Sequence, residues 1–125
     1  MADAAHELVF VYGTLRQGEA NHDFLRGAEY LGMHRTERRY TMHDLGAYPA
    51  IAEGGATAIL GEVYAVDNKM LARLDRLEDY PEEYSRGRVK TPFGWVWIYL
   101  YDGAPENGAA ITSGDWCDRE YNKGR

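Results

Sequence analysis

The sequence has one cysteine, Cys117, so no internal disulfide can staple the fold. That usage fits a reducing compartment, with the cytoplasm as the default location. It also has no long hydrophobic run. The apolar stretch from Leu8 to Tyr12 is far shorter than the ~20 residues a membrane-spanning helix needs, and the residues before it lack the basic n-region of a signal peptide. No membrane partner is expected. Positive charge is scarce: 14 Lys and Arg stand against 20 Asp and Glu, for a formal net charge of −6. Phosphate backbones are held by clustered cations, so nucleic acid is not expected as a partner either. The short basic clusters Arg35 to Arg39 and Arg86 to Lys90 read as solvated strand ends. The four histidines, His6, His22, His34 and His43, share no ligand-like spacing, and no metal or cofactor is expected.

The remaining composition is that of one globular domain spanning residues 1–125, long enough to bury a core without staples. LVFVY (8–12) is short, β-branched and aromatic, and Gly13 bounds it, which marks a buried strand. Asn21 is a candidate cap for a short helix from His22 to Arg26 that Gly27 ends. Tyr30 to His34 and Arg38 to Met42 read as strands around a polar turn, and GEVYAV (61–66) as a further strand. Asp67 is a good N-cap for a helix over 68–78, which Pro81 would stop by forcing Tyr80 into an extended conformation. Arg88 to Thr91 and Trp95 to Tyr101 flank the turn Pro92 to Gly94. In the second arm Trp95, Trp97, Tyr99 and Tyr101 alternate with Val96, Ile98 and Leu100. Apolar residues on both faces predict a strand covered on each side. A nucleic-acid stacking platform built on Trp95, Trp97 and Tyr99 is disfavoured by the net charge. The segment after Gly103 reads as mostly irregular, pinned by Trp116. Five or six short strands with one or two helices predict a mixed α+β domain, a small β-barrel with short flanking helices.

One residue does not fit this plain scheme. Counted at 100° per residue, Met70, Leu71, Leu74 and Leu77 fill one apolar arc of the helix, and Glu78 falls inside it. Water-excluding neighbours raise a carboxyl pKa, and a helix C-terminus raises it further, which produces a base poised nearer neutrality. The same position also allows an ion pair with Arg86 or Arg88. The second feature is YGTLRQG (12–18), where a strand ends and the chain turns. Such a turn can leave backbone N–H groups pointing outward as a receptor for a carboxylate, and it can equally be an ordinary turn after a core strand. It lacks the spacing of a phosphate-binding P-loop.

Three blocks taken in order, YGTLRQGEANHDFL (12–25), LGAYPAI (45–51) and GEVYAVDNKMLARLDRLEDYPEEYSR (61–86), resemble the gamma-glutamylcyclotransferase-like superfamily, near its gamma-glutamylamine cyclotransferase and AIG2-like branch. The resemblance covers roughly residues 8 to 101. It implies a small mixed β-barrel in which the YGTL turn and one glutamate face each other across a cavity. Carried over to this sequence, it implies Glu78 as catalytic acid/base. Tyr12, Gly13, Thr14 and Leu15 would hold substrate, and Tyr48 and Tyr84 would line the pocket. The implied reaction needs no cofactor: a small-molecule gamma-glutamyl amine or amide cyclises to 5-oxoproline and releases an amine. The backbone of Gly13 to Leu15 would bind either the substrate carboxylate or the developing oxyanion. A non-catalytic module that binds a small carboxylate on the same fold is the alternative.

Overall fold

The structure, a computed structural model, describes residues 7–101 and 109–118. Strand β1 (Glu7–Val11) forms the middle of a five-stranded sheet. A 3-10 helix (His22–Leu25) follows, then strands β2 (Glu29–Arg35), β3 (Tyr40–Asp44), β4 (Pro49–Glu53) and β5 (Leu60–Val66). Helix α1 (Asn68–Leu77) leads into β6 (Tyr84–Thr91) and β7 (Gly94–Tyr101), and the described chain closes with β8 (Ala109–Ala110) and a 3-10 turn (Trp116–Asp118). The large sheet runs β2-β5-β1-β7-β6, and a three-stranded sheet runs β4-β3-β8.

The fold is α+β, as expected, but the sheet is open. Among the described residues its edges, β2 and β6, each pair with a single neighbour, so no barrel closes. Against the expected five or six strands, the described residues form eight, because β4 and the two-residue β8 build a second sheet with β3. The strands expected around a polar turn, β2 and β3, lie in different sheets rather than forming a hairpin.

Strand alternation explains the layering. Val9 and Val11 of β1, with Tyr99 of β7, turn to the face that α1 covers, and they join Leu25, Met70 and Leu74 in one apolar cluster. Phe10, Tyr12, Val96 and Ile98 turn to the other face, against Tyr40, Met42, Ile51 and Trp116. The aromatic strand β7 is therefore covered on both faces, in keeping with its apolar pattern on each. Trp116 is fully buried in this second cluster and holds the last described segment to the domain. No helix among the described residues is long and apolar enough to cross a membrane.

At the N-terminus of α1, the Asp67 side chain accepts a hydrogen bond from the Met70 amide at 2.8 Å, the cap the sequence predicts. The other end differs from expectation. The helix stops at Leu77, Glu78 is its C-cap, and Asp79 adopts a left-handed backbone with φ 57°, so the turn is made two residues before Pro81. Asn21 does not cap the short helix with its side chain either. Its amide nitrogen instead donates to the Thr14 hydroxyl at 2.9 Å.

Candidate functional site

Strands β1 and β7 are parallel neighbours and run out at the same end of the sheet. There the chain leaves β1 through Tyr12 and reverses, with the Arg16 amide bonded to the Gly13 carbonyl at 3.0 Å. Among the described residues, the amides of Gly13, Thr14 and Leu15 donate to no backbone carbonyl. Gly13 is required here for a different reason from the one its position suggests. Its φ is not in the left-handed region. A Cβ at this position would stand 2.6 Å from Cγ of Pro49, so glycine is the residue that lets β4 close over the turn.

The turn is clamped from below by residues that the sequence reading passed over. Arg16 is buried, and its Nε lies 3.2 Å from Glu62 Oε2 while Nη1 lies 2.7 Å from Asp115 Oδ1. Glu62 Oε1 accepts from the Gln17 amide at 3.1 Å and from the Tyr64 hydroxyl at 2.9 Å. One polar residue in an otherwise apolar strand, GEVYAV, is a signal that could have exposed Glu62. The ion pairs of Arg16, with Glu62 46 residues and Asp115 99 residues further along the chain, left no local trace.

Glu78 reaches this end of the sheet from the C-terminus of α1. It lines a narrow inner chamber of about 30 Å³ together with Gly13, Thr14, Leu15, Tyr48 and Tyr99. It also lines a wider chamber of about 290 Å³ with Thr14, Asn21, Tyr48, Glu83 and Tyr84. The structure thus brings Glu78, the YGTL turn, Tyr48 and Tyr84 to one cavity, with Tyr12 in the wall of its inner part. Glu78 keeps partial access to solvent through the cavity, yet protein surrounds the carboxyl closely. Burial, and then the nearby Glu83 carboxylate, push its pKa up to about 7.

The ion pairs that could have neutralised Glu78 lie elsewhere. Arg86 Nε sits 3.6 Å from Asp75 Oδ1, and its guanidinium is stacked between the rings of Tyr80 and Trp97. Arg88 is 3.8 Å from Glu7 and lies over the Trp97 ring. The phenols around Glu78 are held as fixed donors. Tyr12 donates to the Tyr99 carbonyl at 2.7 Å, Tyr84 to the Pro49 carbonyl at 2.8 Å, and Tyr99 to Asp75 at 2.7 Å. Burial and the charge of Glu78 both push the hydroxyls of Tyr12, Tyr84 and Tyr99 upward, with Asp75 adding to the effect on Tyr99. They remain neutral, and the proton that can move near pH 7 is the one on Glu78. Thr14 accepts from Asn21 and retains its own hydroxyl proton for a ligand.

The two basic clusters meet at a separate cavity of about 300 Å³, lined by Arg35, Arg39, Arg88, Lys90 and the exposed Trp95. Their cations have partners already: Arg35 donates to the Ala58 and Ser113 carbonyls, Arg39 pairs with Glu37, and Lys90 lies over Trp95.

Comparison with known proteins shows the family and the fold. Residues 9–118 match the family described as gamma-glutamyl cyclotransferase, AIG2-like. A Vibrio cholerae protein named provisionally as a gamma-glutamylcyclotransferase is 52% identical, over 90% of this chain and 96% of its own length. The gamma-glutamylcyclotransferase family protein YtfP of Escherichia coli is 39% identical, over 90% of this chain and 97% of its own. Its solution structure superposes with a TM-score of 0.73, covering 90% of this chain and 98% of that one. The crystal structure of an uncharacterised Pyrococcus horikoshii protein gives a TM-score of 0.82 at 30% identity, covering 94% of this chain and 96% of that one.

Proposed function

This chain belongs to the gamma-glutamyl cyclotransferase, AIG2-like family, and from that footing we propose that it converts a gamma-glutamyl amine or amide into 5-oxoproline and a free amine, with Glu78 as the acid/base. The observation that carries the reading is a carboxyl group titrating near pH 7 in the same cavity as three amides, those of Gly13, Thr14 and Leu15, that serve no backbone carbonyl.

The chemistry follows from the substrate's own reach. A gamma-glutamyl group carries an α-amine that can attack its γ-carbonyl and close a five-membered ring. Before it attacks, the α-ammonium must lose a proton, and a base with a pKa near the working pH accepts one efficiently. Glu78 takes that proton. The new nitrogen–carbon bond forms and the ring nitrogen sheds its second proton as the amide carbon–nitrogen bond breaks; the departing nitrogen takes up both protons, the first returned by Glu78, and leaves as an ammonium. Holding amine and carbonyl in attacking geometry supplies up to about 7–11 kcal/mol, so the turn contributes as much by fixing the glutamyl chain as Glu78 does by proton transfer. The Gly13 to Leu15 amides and the Thr14 hydroxyl would receive the α-carboxylate, with Tyr12, Tyr48 and Tyr84 forming the walls. The carboxylate end of the substrate would lie in the inner chamber and the rest in the wider one.

The test is incubation of the purified protein with a panel of gamma-glutamyl amines and peptides, with 5-oxoproline followed by mass spectrometry. Release that depends on Glu78 supports the reading. Saturable binding of the panel without release would identify a binding module instead.

A further inference from the structure

The cavity remote from Glu78 lies at the seam of the open sheet. Its walls come from the two edge strands: Arg35 ends β2, Arg39 lies in the loop that follows, and Arg88 and Lys90 belong to β6. The sheet curls until these edges face each other. Phe93, in the turn between β6 and β7, reaches β2 so closely that a Cβ on Gly32 would stand 2.6 Å from its ring. About 300 Å³ stays open beside that contact, enough for a small ligand. Four cations border this space against one carboxylate, Glu37, in a chain whose formal net charge is −6. Burial pushes the His34 imidazole below its ordinary pKa, so that ring adds no charge near pH 7. The partners of the four cations leave most of their charge uncancelled. Arg35 donates to two neutral carbonyls, and Lys90 lies over the Trp95 ring. The ion pairs of Arg39 with Glu37 and of Arg88 with Glu7 are both 3.8 Å long, and the first joins side chains that are 59% and 85% exposed. Pairs of that kind hold their members weakly and release them to a better partner.

We propose that this seam is a binding site for a small ligand carrying two linked anionic groups, a diphosphate or a polycarboxylate, with Arg35 and Arg39 receiving one group and Arg88 and Lys90 the other. Two groups are needed because the cations stand on opposite walls, so a single anion would answer one wall and leave the other unanswered. Guanidinium forks fit phosphate and carboxylate oxygens alike, which makes the separation of the two charges the feature that is recognised. The cavity shares no lining residue with either chamber at Glu78, so the inference goes beyond the cyclotransferase reading and does not depend on it. A ligand seated there would bridge β2 and β6, which do not pair with each other among the described residues, and would stabilise the folded chain by binding it alone.

The experiment titrates the full chain with sodium pyrophosphate, citrate, inorganic phosphate and acetate at constant ionic strength, followed by calorimetry and by melting temperature. Pyrophosphate, citrate or both are expected to bind at least about tenfold more tightly than phosphate and acetate, as one further charge-assisted contact gives, and to raise the melting temperature. The tighter of the two tells a phosphoryl ligand from a carboxylate one. Arg39→Gln and Lys90→Gln remove one cation from each wall. Both side chains are exposed, so neither substitution disturbs the core. Each should bring the favoured anion down toward the affinity of phosphate or acetate. Equal affinities for all four anions, or no saturable binding, would overturn the proposal and leave the cations as guards against strand addition at the sheet edges. Tight binding that survives both substitutions would overturn it as well, since the anion would then be seated elsewhere. Loss in one variant alone would refute the bridging of the two walls. None of these readings uses turnover, so each outcome leaves the assignment of Glu78 to its own test.

Discussion

Pro49 occupies the space that a side chain on Gly13 would need: a Cβ there would meet Cγ and Cδ of the proline ring at 2.6 and 2.7 Å. Gly13→Val should therefore displace the turn or β4, destabilising the fold by about 1–3 kcal/mol and weakening substrate binding. Combining it with Pro49→Ala, which removes the ring atoms concerned, should recover part of both losses. A folded Gly13→Val variant with unaltered KM would contradict the reading of the turn as the substrate's seat.

Glu78→Gln keeps the volume of the side chain and removes its proton chemistry. The expected outcome is a fall in kcat of about 10²–10⁴-fold with KM little changed. Full activity in the variant would end the assignment.

The pH dependence has two opposite signs. With Glu78 as the proposed base, kcat/KM should rise through about pH 7. Stability should move the other way. The folded chain holds the Glu78 proton more tightly than the unfolded chain, whose carboxyl titrates near 4.5. Between pH 4.5 and 7 the folded state therefore binds more protons, and stability falls as pH rises through that window, by at most on the order of 3 kcal/mol. Glu78→Gln should lose this fall and melt above the wild type at pH 8. Equal melting temperatures for the two proteins at both ends of the window would show that burial does not set this pKa. Glu83→Gln should shift the midpoint of the kcat/KM profile downward, because Glu83 adds to the rise at Glu78.

Removing Arg16 would leave Glu62 buried without its cation. Arg16→Met is expected to destabilise by about 3–5 kcal/mol in urea unfolding. Arg16→Met with Glu62→Gln should recover part of that, since Gln can still accept from the Gln17 amide. Additive losses in the double variant would mean that the two side chains are not coupled.

Strong periodicity made much of the fold legible. Strands β1, β5 and β7 announce themselves through β-branched and aromatic residues, and β7 is apolar on both faces because two layers cover it. Asp67 is legible as a cap because capping is local. The departures come from contacts and backbone conformations that the periodic pattern does not record. Asn21 has a hydroxyl to bond at Thr14, which competes with its own helix. The helix ends at Asp79's left-handed backbone rather than at the proline. The sheet stays open because β3 finds β4 and β8 rather than β2. At the site, the placement of Glu78 beside the turn follows a helical arc that any reader can count. The clamp under the turn joins Arg16 to Asp115, and no local pattern records it. Gly13 illustrates the same limit, since a glycine after a strand suggests unusual dihedrals and here reflects the close approach of a proline ring.

Arg16 and Glu19, near the beginning of the described chain, are held by Asp115 and Trp116, 99 and 97 residues later. On the ribosome, the bend after the first strand must therefore wait, half-made, for nearly a hundred further residues to emerge. A nascent chain would gain its sheet well before it gained a working pocket. Clipping the polypeptide ahead of Asp115 should silence such a protein while sparing much of its secondary structure.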